Sequence, residues 1–199
     1  MKFKNIGQKI LIFFAGFPGV GKSYLSKRLY DKMPDPSFFI FKDNEFTTEL
    51  FRSGKEKRNP DFFKPPFDHE AFETIRCNWF TKYYLPALEN LFNDFEVITI
   101  DINFDRIGIR KLFLNWCNKN RIKPIIIEIR VPEKEIKQRM TRDSTHPSAA
   151  ERPTALERMK EGWQEIMEKH YVVNNSQYSL ADPVEKLIDI LKKEKLIWH

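Results

Sequence analysis

Continuous apolar runs alternate with amphipathic segments along most of the chain. The runs are apolar throughout rather than at every second position, which is typical of parallel strands buried on both faces. They predict strands at Ile10–Ala15, Phe38–Phe41, Val97–Ile100, 125–131 and 171–173. The segments between them predict helices at Lys22–Lys32, 69–92, 106–118, Glu133–Arg142, 154–169 and Pro183–Lys193. This alternation predicts an α/β fold with a doubly wound, five-stranded parallel sheet flanked by helices.

Two polar segments with prolines interrupt this pattern. Residues 52–67 mix basic residues with phenylalanines and are expected to form a substrate-side loop or insertion. Such a loop could hold single-stranded nucleic acid by phosphate contacts and stacking, cover a small substrate, or simply be solvated. Residues 141–153 are expected to form a lid. No repeat or second-domain linker is visible, so residues 1–199 are predicted to form a single domain.

The composition narrows the class of protein but not its substrate. The chain is 41% hydrophobic and 31% charged, with a formal net charge of +6, which suits acidic partners such as nucleotides or nucleic acid. Cys77 and Cys117 have no metal-binding spacing and indicate a reducing compartment. The apolar run that begins at Ile10 is too short to span a bilayer. We therefore expect a cytoplasmic protein with no membrane partner.

The segment GFPGVGKS, from Gly16 to Ser23, matches the Walker A pattern GxxxxGK[ST] between a predicted strand and a predicted helix. In such a loop, backbone N–H groups and the helix N-terminus bind phosphate. Lys22 is expected to reach the β- and γ-phosphates, and the Ser23 hydroxyl is expected to bind Mg²⁺. The residues predicted to bind ATP here are Gly16, Gly19, Val20, Gly21, Lys22, Ser23 and Tyr24.

Two aspartates follow strands that should end at the same edge of the sheet. Asp43 follows the second strand and could accept the proton of an attacking hydroxyl, or cap a helix starting near Glu45. Asp101 ends the third strand, as in a Walker B motif, and is predicted to bind Mg²⁺. Asn103 and Arg106 follow it and could contact substrate, although Arg106 could equally be a surface residue.

Three arginines outside this edge are further candidates. Arg139 and Arg142 are three residues apart, share one helix face, and could close over ATP to neutralise charge on the transferring phosphoryl group. The alternative is that they are solvated helix residues. Arg76, in the long predicted helix, is a speculative substrate contact.

Taken in order, the segments GFPGVGKS, KDNEF, VITIDINFDR, IIIEIRVPEKEIKQRMTRD and ERPTALERMKEGW resemble the small P-loop kinases. The resemblance is to the polynucleotide-kinase-like and zeta-toxin-like group and covers roughly residues 8–192. It implies an adenylate-kinase-like fold and transfer of the ATP γ-phosphoryl group to a hydroxyl. It also implies that Asn174, with its two neighbours, borders the adenine. The chain departs from the nucleic-acid kinases in having no arginine between Asp43 and Arg52.

The sequence therefore predicts an ATP- and Mg²⁺-dependent kinase acting on a hydroxyl of a small molecule or, less favoured, a nucleic-acid end. Alternatives are a P-loop ATPase acting as a regulatory or assembly factor, and a nucleotide-sugar kinase toxin. A GTPase switch fits poorly, because DINF rather than DxxG follows the third strand and the Asn118–Lys119 pair lacks the aspartate of NKxD.

Overall fold

The computed structural model describes Phe3 and residues 7–55, 68–142 and 152–197. Within these ranges the chain forms the predicted all-parallel sheet of five strands. The strands are β1 Ile10–Ala15, β2 Phe38–Phe41, β3 Val97–Ile100, β4 Lys123–Arg130 and β5 His170–Asn174.

Helices connect the strands and flank the sheet. Their bounds are α1 Lys22–Lys32, α2 Asp43–Arg52, α3 His69–Trp79, α4 Leu85–Leu91, α5 Ile107–Lys119, α6 Glu133–Arg142, α7 Arg152–Gly162 and α8 Pro183–Lys193. A π-helical turn, Phe80–Tyr84, joins α3 to α4 without a break. Asp68 caps α3 by accepting hydrogen bonds from the N–H groups of Glu70 and Ala71.

The strand order β2-β3-β1-β4-β5 places β1 in the centre of the sheet. Ile12 of β1 pairs with Thr99 of β3 on one side and with Ile125 of β4 on the other. Because all five strands are parallel, their carboxyl ends meet at one edge. In sheets of this kind ligands bind at that edge, where the chain order reverses across the sheet.

Alternate residues of β1 belong to two separate cores, which explains why the run is apolar throughout. Ile10, Ile12 and Phe14 pack in the core that includes residues of α1 and α8. Leu11 and Phe13 pack in the core that includes residues of α4 and α5. All five side chains are buried, and each contributes roughly 1.5–3 kcal/mol of transfer free energy.

Two predicted boundaries are wrong. The helix predicted over 154–169 ends at Gly162, because the backbone beyond it is bound by the fully buried Arg110, which donates to the carbonyl oxygens of Gln164 and Glu165. Residues 43–52 are helical, so Arg52 ends α2 and does not begin a loop. The helix predicted over 69–92 is confirmed as continuous helical structure from His69 to Leu91, with a π-helical turn inside it.

Most of the two polar segments lies outside the described residues. This applies to residues 56–67 of the predicted substrate-side loop and to residues 143–151 of the predicted lid. Among the residues that the structure does describe, no helix is long and apolar enough to cross a membrane.

Candidate active site

The glycine loop, residues 16–21, joins the end of β1 to the start of α1. Gly16 has φ 136°, and a Cβ there would lie 2.6 Å from the carbonyl oxygen of Ile129. Gly21 has φ 89°, and a Cβ there would lie 2.5 Å from Nδ2 of Asn175. Both positions therefore require glycine. Gly21 is also the N-cap of α1 and no side chain caps that helix, so its first-turn N–H groups suit an anion.

Lys22, the first residue of α1, folds back over the glycine loop. Its ammonium donates to the carbonyl oxygens of Gly16 (2.9 Å) and Phe17 (3.1 Å) and to Oδ1 of Asn103 (3.2 Å). Burial lowers the pKa of Lys22 to about 8, while Asp101 and Asp43 act in the opposite direction. The cation thus lies at the loop, and three carboxylates, those of Asp101, Asp43 and Asp105, are near enough to affect its ionisation.

Asp101 follows β3 and connects the glycine-loop side of the site to α2. One carboxylate oxygen accepts a hydrogen bond from the Ser23 hydroxyl, and the other accepts from the N–H of Asp43 at 3.4 Å. Hydroxyl and carboxylate oxygens are the ligands that Mg²⁺ prefers. No group of three or more His, Cys, Asp and Glu side chains is arranged to hold a metal in the described ranges. Ser23 and Asp101 together supply two such oxygens, which fits an ion that takes its remaining ligands from phosphate and water.

Asp43 is the first residue of α2 and is half-buried beside Asp101. The capping interpretation is wrong, because the N-cap is Lys42 and Asp43 already lies in the first turn. Burial and the neighbouring Asp101 raise the pKa of Asp43 to about 7, against the opposing effects of Arg76, Lys22 and a hydrogen bond from Thr47. A carboxyl group with this pKa is suited to accept a proton near neutral pH.

Arg76 extends from α3 to the same side of the site. Its Nη1 lies 2.7 Å from Oδ1 of Asp105, and its guanidinium lies 5.3 Å and 5.5 Å from the ring centroids of Phe72 and Phe80. The charge of Arg76 lowers the pKa of Asp43. Asp105, buried and not predicted from the sequence, holds the guanidinium in place.

The structure separates Asn103 from Arg106. Asn103 lies at the glycine loop, since its carbonyl oxygen accepts from the N–H of Gly16 at 3.2 Å and its side chain accepts from Lys22. Arg106 is buried, so the surface-residue interpretation is wrong. Its Nε lies 2.9 Å from Oε2 of Glu73, and its Nη1 donates to the carbonyl oxygen of Gly162 at 2.8 Å. Arg106 thus joins α3 to the end of α7, and its contact with substrate stays a prediction.

On the opposite side of the glycine loop, Arg139 and Asn175 bind the same backbone group. The carbonyl oxygen of Val20 accepts from Nη1 of Arg139 at 3.3 Å and from Nδ2 of Asn175 at 2.7 Å. Arg139 is therefore not a solvated helix residue. Arg142 ends α6, and its side chain lies outside the described residues.

Two further predicted nucleotide contacts are exposed. Asn174 points away from the loop contact made by its neighbour, and its Oδ1 accepts from the N–H of Ser176 at 3.0 Å. Tyr24 is 60% exposed, and the guanidinium of Arg28 lies 5.6 Å from its ring centroid. Neither side chain forms a hydrogen bond or ion pair with the glycine loop within the described part of the chain.

The sheet order divides these groups between two sides of the glycine loop. Asp43 and Asp101 follow β2 and β3 on one side, whereas Arg139 and Asn175 follow β4 and β5 on the other. A phosphate chain bound along the loop would therefore have a proton acceptor near one end and polar donors near the other. This arrangement can bring two reactants together across a phosphoryl group.

Several solved structures share the fold of this chain, and two of those described below are named as kinases. A putative kinase from Chloroflexus aurantiacus matches with a TM-score of 0.61 and 16% identity, covering 94% of this chain and 97% of its own. The tunicamycin resistance protein of Deinococcus radiodurans matches with a TM-score of 0.58 and 13% identity, covering 96% and 98%. A gluconokinase from Sinorhizobium meliloti matches with a TM-score of 0.52 and 12% identity, covering 94% and 97%.

No protein-family model and no curated protein matches the sequence. At these identities the structural likeness establishes the fold alone, an α/β domain with a five-stranded parallel sheet, which agrees with the fold that the motif resemblance implied.

Proposed function

We propose that this protein is an ATP-dependent phosphotransferase that moves the γ-phosphoryl group of ATP to a hydroxyl group. The observation that carries the proposal is the placement of Asp43, half-buried beside Asp101 and influenced by the charge of Lys22 at the glycine loop. A protein that only bound nucleotide would have no need for a proton acceptor beside the glycine loop. The kinase-like fold supports the same activity.

In the proposed reaction, the acceptor hydroxyl lies against Asp43 and the triphosphate of ATP lies on the glycine loop. Asp43 accepts the hydroxyl proton as the hydroxyl oxygen bonds to the γ-phosphorus. The bond between the γ-phosphorus and the oxygen bridging to the β-phosphate breaks, and ADP leaves. Lys22 exchanges its contacts with the carbonyl oxygens of Gly16 and Phe17 for phosphate oxygens, and so balances their charge.

Magnesium, where bound, would supply positive charge to the β- and γ-phosphates. Ser23 and Asp101 would hold it, because their oxygens lie together between the glycine loop and Asp43. Asp101 has a second task that needs no metal: through the N–H of Asp43 it fixes the start of α2 and thereby the position of the Asp43 side chain.

The acceptor lies on the β2–β3 side of the glycine loop in this proposal, between Asp43 and the Arg76–Asp105 pair. The nucleoside of ATP then lies on the β4–β5 side, near Arg139 and the residues that follow β5. Small hydroxyl compounds are favoured as acceptors over nucleic-acid ends, since α2 carries no arginine before Arg52.

The test is transfer of label from γ-labelled ATP into two pools of acceptors. One pool holds 5′-hydroxyl DNA and RNA oligonucleotides, and the other holds nucleosides, sugars, sugar nucleotides and hydroxyl-bearing antibiotics. Asp43→Asn is the negative variant. Glu45→Gln is its matched control, because Glu45 lies in the same helical turn, is exposed and pairs only with Lys42 among the described residues.

Label in either pool that is lost in Asp43→Asn and kept in Glu45→Gln establishes the kinase and identifies the acceptor class. Hydrolysis of ATP with no acceptor labelled, and with equal rates in the two variants, would instead support a regulatory or assembly ATPase. Toxicity on expression that Asp43→Asn relieves would indicate a nucleotide-sugar kinase toxin.

A further inference from the structure

Glu135 is a buried carboxylate in the first turn of α6 that the proposed chemistry leaves unexplained. Its residue is only 4% exposed, although its neighbours Glu133 and Lys137 lie on the solvated side of the helix. Burying a charge without partners costs free energy, so the contacts of the Glu135 carboxylate indicate whether it has a structural role at this position.

Three donors from two separate segments satisfy Glu135. Arg139, one helical turn later, lies 2.6 Å from Oε1. The Ser176 hydroxyl donates to Oε2 at 2.6 Å, and the N–H of Gln177 donates to Oε1 at 2.9 Å. Burial alone would raise the pKa of Glu135, but the hydrogen bonds from Ser176, Gln177 and Arg139 lower it below its ordinary value. Glu135 is therefore ionised at neutral pH and joins α6 to the segment after β5.

These contacts continue to the glycine loop. Arg139, held by Glu135, donates to the carbonyl oxygens of Asn175 at 2.6 Å and Val20 at 3.3 Å. Asn175 donates to the same Val20 oxygen and lies so close to Gly21 that no side chain fits there. Hydrogen bonds thus connect residues 175–177, Arg139 and the glycine loop in one group. Glu135 binds two parts of this group, Arg139 and the segment that contains Ser176 and Gln177.

We propose that Glu135 is a positioning residue for the nucleotide, holding residues 175–177 and Arg139 where the nucleoside end of ATP binds. The inference rests on the proposed function, because it takes the nucleoside to lie on the β4–β5 side of the glycine loop. Glu135 itself is enclosed by Arg139, Ser176 and Gln177, so it acts through these residues and not by touching the nucleotide.

The experiment compares two ligands, Mg·ADP and inorganic tripolyphosphate, by calorimetry on the whole protein. Both ligands can occupy the glycine loop, but only ADP carries a nucleoside. In Glu135→Gln we expect the affinity for ADP to fall about tenfold or more and the affinity for tripolyphosphate to change by less than about threefold. In kinetics, the KM for ATP should rise while the KM for the acceptor stays near the wild-type value.

Glu133→Gln is the matched control. Glu133 lies in the same helical turn and pairs with Lys137 and Lys160, but it is exposed and does not contact residues 175–177. The affinity of the Glu133→Gln protein for Mg·ADP and for tripolyphosphate should equal that of the wild type.

Should Glu135→Gln fail to fold, Ser176→Ala decides the question, because it removes one hydrogen bond to Glu135 and leaves the charge pair with Arg139. We expect it to weaken ADP binding by about threefold and to leave tripolyphosphate binding unchanged. Equal losses for the two ligands, or no loss for either, would overturn the inference. A wild-type protein that binds neither ligand would contradict the proposed function itself, which separates the two failures.

Discussion

Asp43 is the residue on which the proposed chemistry depends most. Its side chain lies at the start of α2, near a carboxylate that disfavours its ionisation and two cations that favour it. The balance leaves a pKa of about 7, which suits a group that must gain and lose a proton in each turnover.

Replacing Asp43 by asparagine should lower kcat by about 10²–10⁴-fold, the usual contribution of general base catalysis. The affinity for Mg·ATP should stay within about threefold of the wild type, because asparagine keeps the backbone N–H that binds Asp101. Single-turnover kinetics with Glu45→Gln as control would measure both quantities. A loss in kcat of less than threefold, with ATP binding intact, would remove Asp43 from this role.

The same residue predicts a pH-dependent cost in stability. A carboxyl group whose folded pKa is about 7 and whose unfolded value is 3.8 binds more protons in the folded state between these pH values. The wild type should therefore lose stability as pH rises from 4 to 7, by about 2–4 kcal/mol from this group. Asp43→Asn lacks this loss, so its stability relative to the wild type should increase over that range and then stay constant.

Urea unfolding at several pH values, without nucleotide or metal, measures the difference. If the difference in the free energy of unfolding between the wild type and Asp43→Asn did not change from pH 4 to pH 8, the environment that the structure gives Asp43 would be contradicted.

Individual site residues differ in how far the sequence reveals them. Lys22, Ser23 and Asp101 belong to local motifs, in which the order of residue types already indicates where each side chain lies. Asn175 and Glu135 do not, because a polar residue after a strand and a glutamate in a charged helix are typical of solvated surface. Only the packing of α6 and the segment after β5 against the glycine loop distinguishes them.

At the scale of elements, Glu194 joins three parts of the fold at the edge opposite the glycine loop. Just after α8, its carboxylate lies 2.7 Å from Nζ of Lys123 in β4 and 2.8 Å from Nζ of Lys169 before β5. It also accepts from the Tyr171 hydroxyl. Burial opposes ionisation, but the hydrogen bonds from Lys123, Lys169 and Tyr171 lower the pKa of Glu194 to about 2.

Glu194→Gln should lower the free energy of unfolding by about 1–3 kcal/mol at pH 7, because Lys123 and Lys169 lose the carboxylate charge with which they pair. A depressed carboxyl pKa contributes stability above the unfolded value of 4.5, and that contribution is lost as pH falls toward 2. The difference in the free energy of unfolding between Glu194→Gln and the wild type should therefore become smaller below pH 4.5.

Glu185→Gln is the control for this comparison, since Glu185 lies in α8 and forms an exposed ion pair with Lys32. It should change the stability by no more than about 0.5 kcal/mol. Denaturant unfolding from pH 7 to pH 3.5 measures all three proteins. An effect of Glu194→Gln as small as that of the control would show that the charge contributes nothing.

Element boundaries were predictable where local pattern alone sets them. The bounds of β1, β2 and β3 match the apolar runs, because helices cover both faces of the sheet. The polar residue inside β3, Thr99, is buried and shares a hydrogen bond with Ser26. The end of α7 at Gly162 was not predictable, because contacts from Arg106 and Arg110, more than fifty residues earlier, fix the backbone beyond it. Such long-range hydrogen bonds produce no repeating pattern of apolar and polar residues in the sequence.

At the scale of the whole molecule, nucleotide binding should raise the melting temperature. Ligand at about 100 times its Kd stabilises the folded state by roughly 2.7 kcal/mol, which corresponds to about 5–10 °C for a chain of this length. Lys22→Ala should lose most of this shift with Mg·ADP, because the ammonium at the glycine loop is removed. Differential scanning calorimetry with and without Mg·ADP measures this shift in melting temperature.

Lys27→Ala is the matched control, since Lys27 lies in α1 and pairs with Asp31 on the exposed side of the helix. It should keep the full shift. Equal shifts in the two variants would contradict the assignment of the glycine loop as the phosphate site.

The π-helical turn Phe80–Tyr84 sets how far α3 is rotated about the helix axis relative to α4. Each residue of an α-helix turns the chain by about 100°, so deleting one residue from this turn would restore a regular α-helix and rotate α3 by that angle. Arg76 would then leave Asp105, while the glycine loop and β1 would keep their places. In evolutionary terms, the loss of one codon at this turn would be enough to move Arg76 on the proposed acceptor side of the site and leave the proposed nucleotide side unchanged.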